Sequence, residues 1–237
     1  MSVIVKICGL ATEAGLDASL KHGADMAGFV FFEKSPRHIS LELAVRLGQR
    51  AGTRVRKVLL TVDADDASLT AAISALGPAI LQFHGSETPE RVASVRARFG
   101  LPVIKAIGIS SAADLALLPH FDAAADYLLL DAKPLPAAGR PGGTGTAFDW
   151  SLVAGLRTKK PWLLAGGLDE ANVGVALAQT HAPGVDVSSG VESAPGVKDP
   201  NRIGRFIAAA RLSREGMASS QEAIRTSGDN HAWIPRS

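Results

Sequence analysis

The sequence predicts one α/β domain folded as an eight-stranded (β/α)8 TIM barrel. Three observations carry that expectation. Short apolar runs alternate with longer amphipathic stretches from residue 3 to about residue 211. Several runs are almost wholly apolar, as the strands of a parallel sheet covered on both faces must be. The runs number eight, the count at which alternating βα units close into a barrel. The chain has 237 residues, ordinary for one such barrel of typically about 250. An open doubly wound sheet is the alternative, but no Gly-x-Gly-x-x-Gly follows the first run to support it.

The expected strands are residues 3–7, 26–31, 57–62, 80–83, 103–107, 127–130, 162–165 and 185–187. Helical patterns lie between and after them, near residues 12–22, 40–51, 66–76, 89–98, 111–117, 148–156, 170–179 and 200–211. Capping residues mark some starts. Ser40 precedes Leu41 and Glu42, Asp169 precedes Glu170, and Thr88-Pro89 sets a proline at a first helical position. Residues 132–147 break the rhythm with three prolines and four glycines, and a loop of that length is often functional. Residues 212–237 are richer in polar side chains and are expected as a tail or appendage outside a 1–211 catalytic barrel.

Composition narrows the function classes. Hydrophobic residues make up 46% and charged residues 20%, enough for a large core and too little charge for a disordered chain. The net charge of +2 is spread along the chain, with no sign of a nucleic-acid or membrane-surface partner. The small cluster Arg54, Arg56 and Lys57 reads as a solvated strand edge. One cysteine excludes an internal disulfide. The N-terminus reads as no signal peptide, and no run of about 18 apolar residues occurs, so a cytoplasmic protein is expected.

Chemistry in such barrels sits where strands end and βα loops begin. The first run ends Lys6-Ile7-Cys8-Gly9. Side chains alternate, so Lys6 and Cys8 share a face. A buried lysine needs a partner, and Asp186 on the neighbouring eighth run either compensates it or binds substrate nearby. A free cysteine is commonly a small buried hydrophobe; a thiol before a glycine at a strand's end is also suited to chemistry. His84, which shares a face with Gln82, is a substrate contact or a hydrogen-bonded structural histidine. Asp131 follows three leucines and precedes the long glycine-rich loop, a setting that suits a general acid; a cap or a salt-bridged aspartate is the alternative. Arg37, stiffened by Pro36, is suited to clamping a carboxylate or phosphate, or is an ordinary surface arginine. Gly166 and Gly167 close the seventh run, and Ser188, Ser189 and Gly190 close the eighth. Barrels often bind phosphate on backbone N–H groups at these two loops. A phosphorylated small molecule is therefore the expected ligand.

In order along the chain, these segments resemble the phosphoribosylanthranilate isomerase family of tryptophan biosynthesis. They are Lys6-Ile7-Cys8-Gly9, Gly28-Phe29-Val30-Phe31 leading to Ser35-Pro36-Arg37, and Leu81-Gln82-Phe83-His84-Gly85. Next come Asp131 followed by Gly142-Gly143-Thr144-Gly145 and Phe148-Asp149-Trp150, then Leu164-Ala165-Gly166-Gly167-Leu168 with Asn172-Val173. The last run from Gly184 through Asp186, Ser188-Ser189-Gly190 and Glu192 to Pro195-Gly196 and Lys198-Asp199. The resemblance implies an Amadori rearrangement of a phosphoribosyl aldosylamine, with Cys8 as general base and Asp131 as general acid. It also implies Arg37 at the anthranilate end, His84 and Asp186 as further contacts, no metal or organic cofactor, and a monomer or homodimer. The histidine-pathway isomerase of similar fold is the nearest rival, but it has an aspartate where Cys8 stands. Indole-glycerol-phosphate synthase relies on strand-end lysines and an N-terminal extension. A catalytically silent phosphosugar-binding barrel needs neither Cys8 nor Asp131.

Overall fold

Eight parallel strands close in sequence order into a barrel: β1 (Ile4–Cys8), β2 (Met26–Phe31), β3 (Arg56–Thr61), β4 (Ile80–Phe83), β5 (Val103–Ile109), β6 (Tyr127–Ala132), β7 (Trp162–Leu164) and β8 (Gly184–Val187). The computed structural model describes residues 3–133 and 148–227, with side chains described for 3–133 and 148–213. Most of the proline- and glycine-rich loop, including the Gly142–Gly145 motif, and the end of the chain from residue 228 lie outside the described residues. Closure is set by register, Lys6 on β1 lying beside Asp186 on β8.

Strand alternation divides the apolar side chains into two shells. Met26, Val58, Ile80, Ile104, Leu129 and Leu163 fill the barrel's inside. Cys8, Val30 and Leu60 form a separate small apolar cluster further along their strands. The intervening positions, such as Ile7, Phe29, Leu59 and Phe83, point outward and pack beneath the helices. This is why the strands read as continuous apolar runs: both faces are covered.

Helices α1 (Glu13–Lys21), α2 (Leu41–Ala51), α3 (Asp66–Leu76) and α4 (Pro89–Phe99) follow the first four strands. Each begins on an oxygen side chain, Thr12, Ser40, Asp65 or Thr88, that accepts a first-turn backbone N–H. Pro89 opens α4 as the sequence suggests. Asp169 caps the turn before α5 (Val173–Thr180), accepting the N–H groups of Ala171 and Asn172.

Some expectations are corrected. The fifth and sixth helical stretches are 3₁₀ helices, Ala112–Phe121 and Trp150–Val153. In the first of these Pro119 has no N–H to offer and crowds the preceding turn. β1 includes Cys8, and β6 runs on through Asp131. A hairpin of β9 (Glu192–Ala194) and β10 (Val197–Lys198), unforeseen in the sequence, follows β8. The last helix, α6 (Pro200–Ser227), continues well past residue 211. Among the described residues no helix is long and apolar enough to cross a membrane.

Candidate active site

Lys6 has no solvent exposure, and its ammonium donates to Asp186 Oδ1 at 2.8 Å. Burial is the largest single effect and works against that charge, but Asp186 and Cys8 together outweigh it and hold Lys6 above its ordinary value. Two strand positions further along lies the thiol of Cys8, also buried. Gly28 is its register partner on β2. A Cβ there would lie 3.0 Å from Cys8 Sγ and 3.1 Å from Lys6 Nζ, so thiol and ammonium crowd one point on which any side chain would press. Burial pushes the Cys8 thiol up; the charge of Lys6 opposes the rise and that of Asp186 adds to it.

Asp131 is held on three sides. His84 Nε2 lies 3.2 Å from its Oδ2, and the N–H of Ala132 donates to its Oδ1 at 2.8 Å. Gly166, in the left-handed region at φ 85°, brings the loop after β7 so close that a Cβ would sit 3.0 Å from Asp131 Oδ1. His84 Nδ1 in turn meets Gln82 Nε2 at 3.2 Å. Both alternatives for His84 are therefore compatible with its place: it is hydrogen-bonded, and it stands beside a carboxyl at the barrel mouth. A cleft of about 940 Å³ runs outward from His84 and Asp131 between the loops after β4, β5 and β6.

The two glycine-bearing loops touch. A Cβ on Gly190 would fall 1.9 Å from the carbonyl oxygen of Leu168, so no other residue fits where these loops cross. Asn172 staples the first loop by donating to Gly167 O and accepting from the N–H of Asp169. Ser188 Oγ donates to the carbonyl of Cys8 at 3.1 Å, and Ser189–Val191 form a short 3₁₀ turn. Contacts thus run without a gap from Cys8 through Ser188 and the loop after β7 to Asp131. Arg37, by contrast, is buried against Glu192, its Nε and Nη2 donating to the two carboxylate oxygens at 2.6 and 2.8 Å. Among the described residues no group of three or more His, Cys, Asp or Glu is placed to hold a metal ion.

The model of the N-(5'-phosphoribosyl)anthranilate isomerase family matches residues 5–209. The chain belongs to the phosphoribosylanthranilate isomerase family. It is 64% identical over 211 residues to N-(5'-phosphoribosyl)anthranilate isomerase of Beijerinckia indica, covering 89% of this chain and 95% of that one. A solved structure described as monomers of the dimeric isomerase of Thermotoga maritima is 34% identical with a TM-score of 0.76, over 88% of this chain and 98% of that one. Another isomerase, solved in complex with reduced 1-(o-carboxyphenylamino)-1-deoxyribulose 5-phosphate, is 33% identical with a TM-score of 0.75 and the same coverage. Membership makes this protein an isomerase, and the family's place is tryptophan biosynthesis.

Within this isomerase, sequence reasoning gave no role to four buried charged groups, Glu87, Lys105, Glu192 and Lys198. Lys105 donates to Glu87 at 2.7 Å and to Gly85 O at 2.7 Å, bracing the loop that follows His84. Its signal was present: a lysine inside an apolar strand, as for Lys6. Glu192 and Lys198 lie on the β9–β10 hairpin, where short strands leave little periodicity to read.

Proposed function

We propose that this isomerase converts N-(5-phosphoribosyl)anthranilate to 1-(2-carboxyphenylamino)-1-deoxyribulose 5-phosphate, with Asp131 as general acid and Cys8 as general base. The observation that carries the reading is the pair of ionisable groups at the strand ends: a buried thiol beside the Lys6–Asp186 pair, and a carboxyl beside His84. Asp131 protonates the furanose ring oxygen, the C1–O bond breaks, and an iminium forms between C1 and the anthranilate nitrogen. Cys8 then removes the proton from C2. The electrons move into the C1–C2 bond and neutralise the nitrogen, giving an enolamine that tautomerises to the ketone by protonation at C1. Atoms balance with no net oxidation.

The protonation states require an explanation, because burial leaves Cys8 a thiol in the free enzyme. A cationic iminium formed beside it favours the thiolate and acidifies the C2 proton together. Base strength thus arrives with the intermediate that needs it. Help of this kind contributes roughly 10²–10⁴-fold per group.

The phosphate is held at Gly166, Gly167, Ser188, Ser189 and Gly190, where the loops after β7 and β8 cross and free N–H groups can converge on an anion. Arg37 receives the anthranilate carboxylate, with His84 and Asp186 lining the space between. Residues 1–211 constitute the catalytic unit and 212–237 an appendage, in a cytoplasmic enzyme acting as a monomer or homodimer. Given freshly made phosphoribosylanthranilate, the purified protein should deplete its fluorescence at a rate proportional to enzyme. No turnover would overturn the reading, and turnover of the histidine-pathway aldosylamine as well would show it to be too narrow.

A further inference from the structure

The β9–β10 hairpin carries a buried charge cluster that is not neutral. Arg37, Glu192 and Lys198 are each about nine-tenths or more buried. Glu192 and Lys198 are cross-strand partners in the hairpin. Glu192 Oε1 accepts from both Arg37 Nε and Lys198 Nζ at 2.6 Å, and Oε2 accepts from Arg37 Nη2. One carboxylate thus serves two cations. Arg202 adds a bond to the backbone carbonyl of Glu192, but its side chain is on the exposed helix start.

Hydrogen-bond counting supports a charged Lys198. Its Nζ faces three acceptors: Glu192 Oε1, Ser188 O at 2.9 Å and Ser188 Oγ at 3.2 Å. Ser188 Oγ spends its own hydrogen on the carbonyl of Cys8. All three positions therefore need a hydrogen from the lysine, and only an ammonium has three. Burial, and to a lesser extent the neighbouring Arg37 cation, work against that charge and lower the group from its ordinary value, while Glu192 favours it. Every hydrogen of Lys198 is then committed. Arg37 is not so committed: among the described residues its Nη1 has no partner, on a side chain that is 7% exposed. The cluster's surplus positive charge is available at one place, the open edge of Arg37.

We propose that Lys198 is a specificity-determining residue of this isomerase: by sharing Glu192, it keeps Arg37 from being neutralised, so that Arg37 can take the substrate's aromatic carboxylate. The proposal rests on the placing of Arg37 at that carboxylate. Without Lys198, Arg37 and Glu192 would form a closed, neutral pair. Lys198 itself touches no substrate; it also braces Ser188, which is why a test must separate charge from support.

Two substrates make that separation: phosphoribosylanthranilate, and N-(5-phosphoribosyl)aniline, which carries the phosphate and lacks the carboxylate. Lys198→Met should raise KM for the first by about tenfold or more, as loss of a close charge interaction does, with kcat and the KM for the second within about twofold of wild type. Lys198→Arg should keep the preference. Lys198→Met combined with Glu192→Gln restores one surplus charge and should recover much of it, which loss of mere support would not. Should Lys198→Met melt too low to assay, Lys198→Gln removes the charge while keeping one hydrogen bond. Equal losses on both substrates, or no recovery in the double variant, would overturn the role of Lys198. Arg37→Met separates the two layers: a loss confined to the carboxylate substrate upholds the placing of Arg37, and equal losses on both would overturn that placing and this proposal with it.

Discussion

Cys8 sits where two electrostatic effects oppose each other. Removal from water favours the neutral thiol; the neighbouring Lys6 ammonium favours the thiolate; burial is the larger. The free enzyme should therefore react slowly with iodoacetamide at neutral pH. Its alkylation rate should keep climbing as pH rises beyond the ordinary thiol range, with no plateau near neutrality, when followed by mass spectrometry. A thiol already fully reactive at pH 7 would mean that Lys6 wins instead. The sequence singled this residue out as a candidate, a cysteine closing an apolar strand before glycine, although that place alone suits a buried structural thiol as well. Its partner was legible too: Lys6 and Asp186 are opposite charges on strands that must be neighbours once the barrel closes, and they meet at 2.8 Å. Arg37 read as an anion clamp or an ordinary surface arginine, and its burial rules out the second. Its engagement with Glu192 depends on a hairpin 155 residues away in sequence.

Among the elements, those with strong local signals were read well and those shaped by loop chemistry were not. Ser40 and Thr88 cap their helices as their positions suggest. The stretch after β5 forms a 3₁₀ helix because Pro119 interrupts the pattern and Asp114 gathers the chain at its start. Asp114 Oδ2 accepts the N–H groups of Ser110 and Ser111 and both their hydroxyls, while Oδ1 meets Lys133 at 3.1 Å. The Ser110 N–H leads the set of bonds that hold this carboxyl well below the usual carboxylate range, against the opposing effect of burial. A depressed folded-state value stabilises the protein above the unfolded value and loses that contribution as pH falls. Asp114→Ala should therefore cost about 1–3 kcal/mol at pH 7, measured by urea unfolding. The gap to wild type should narrow as pH drops below about 4, where an unfolded aspartate takes up its proton. A gap that stays constant across that range would show the ionised form to be irrelevant.

For the whole molecule, strict alternation of eight apolar runs was enough to specify barrel closure, because parallel strands covered on both faces leave few other solutions. Closure then converts strand ends far apart in sequence into one mouth, so Cys8, His84, Asp131 and Asp186 could be proposed as neighbours before any contact was known. What the sequence did not reveal is the connecting chemistry: the crossing of the loops after β7 and β8 at Gly190, the bracing of His84's loop by Lys105, and the shared carboxylate of Glu192. These depend on three-dimensional contacts that no periodicity encodes. The central claim is that the barrel mouth works by one acid, Asp131, and one base, Cys8. The direct test is steady-state turnover of phosphoribosylanthranilate by Cys8→Ala and by Asp131→Asn, each with an unchanged thermal melt. Each should lose about 10²-fold or more in kcat. Near-wild-type turnover surviving in both would contradict the account.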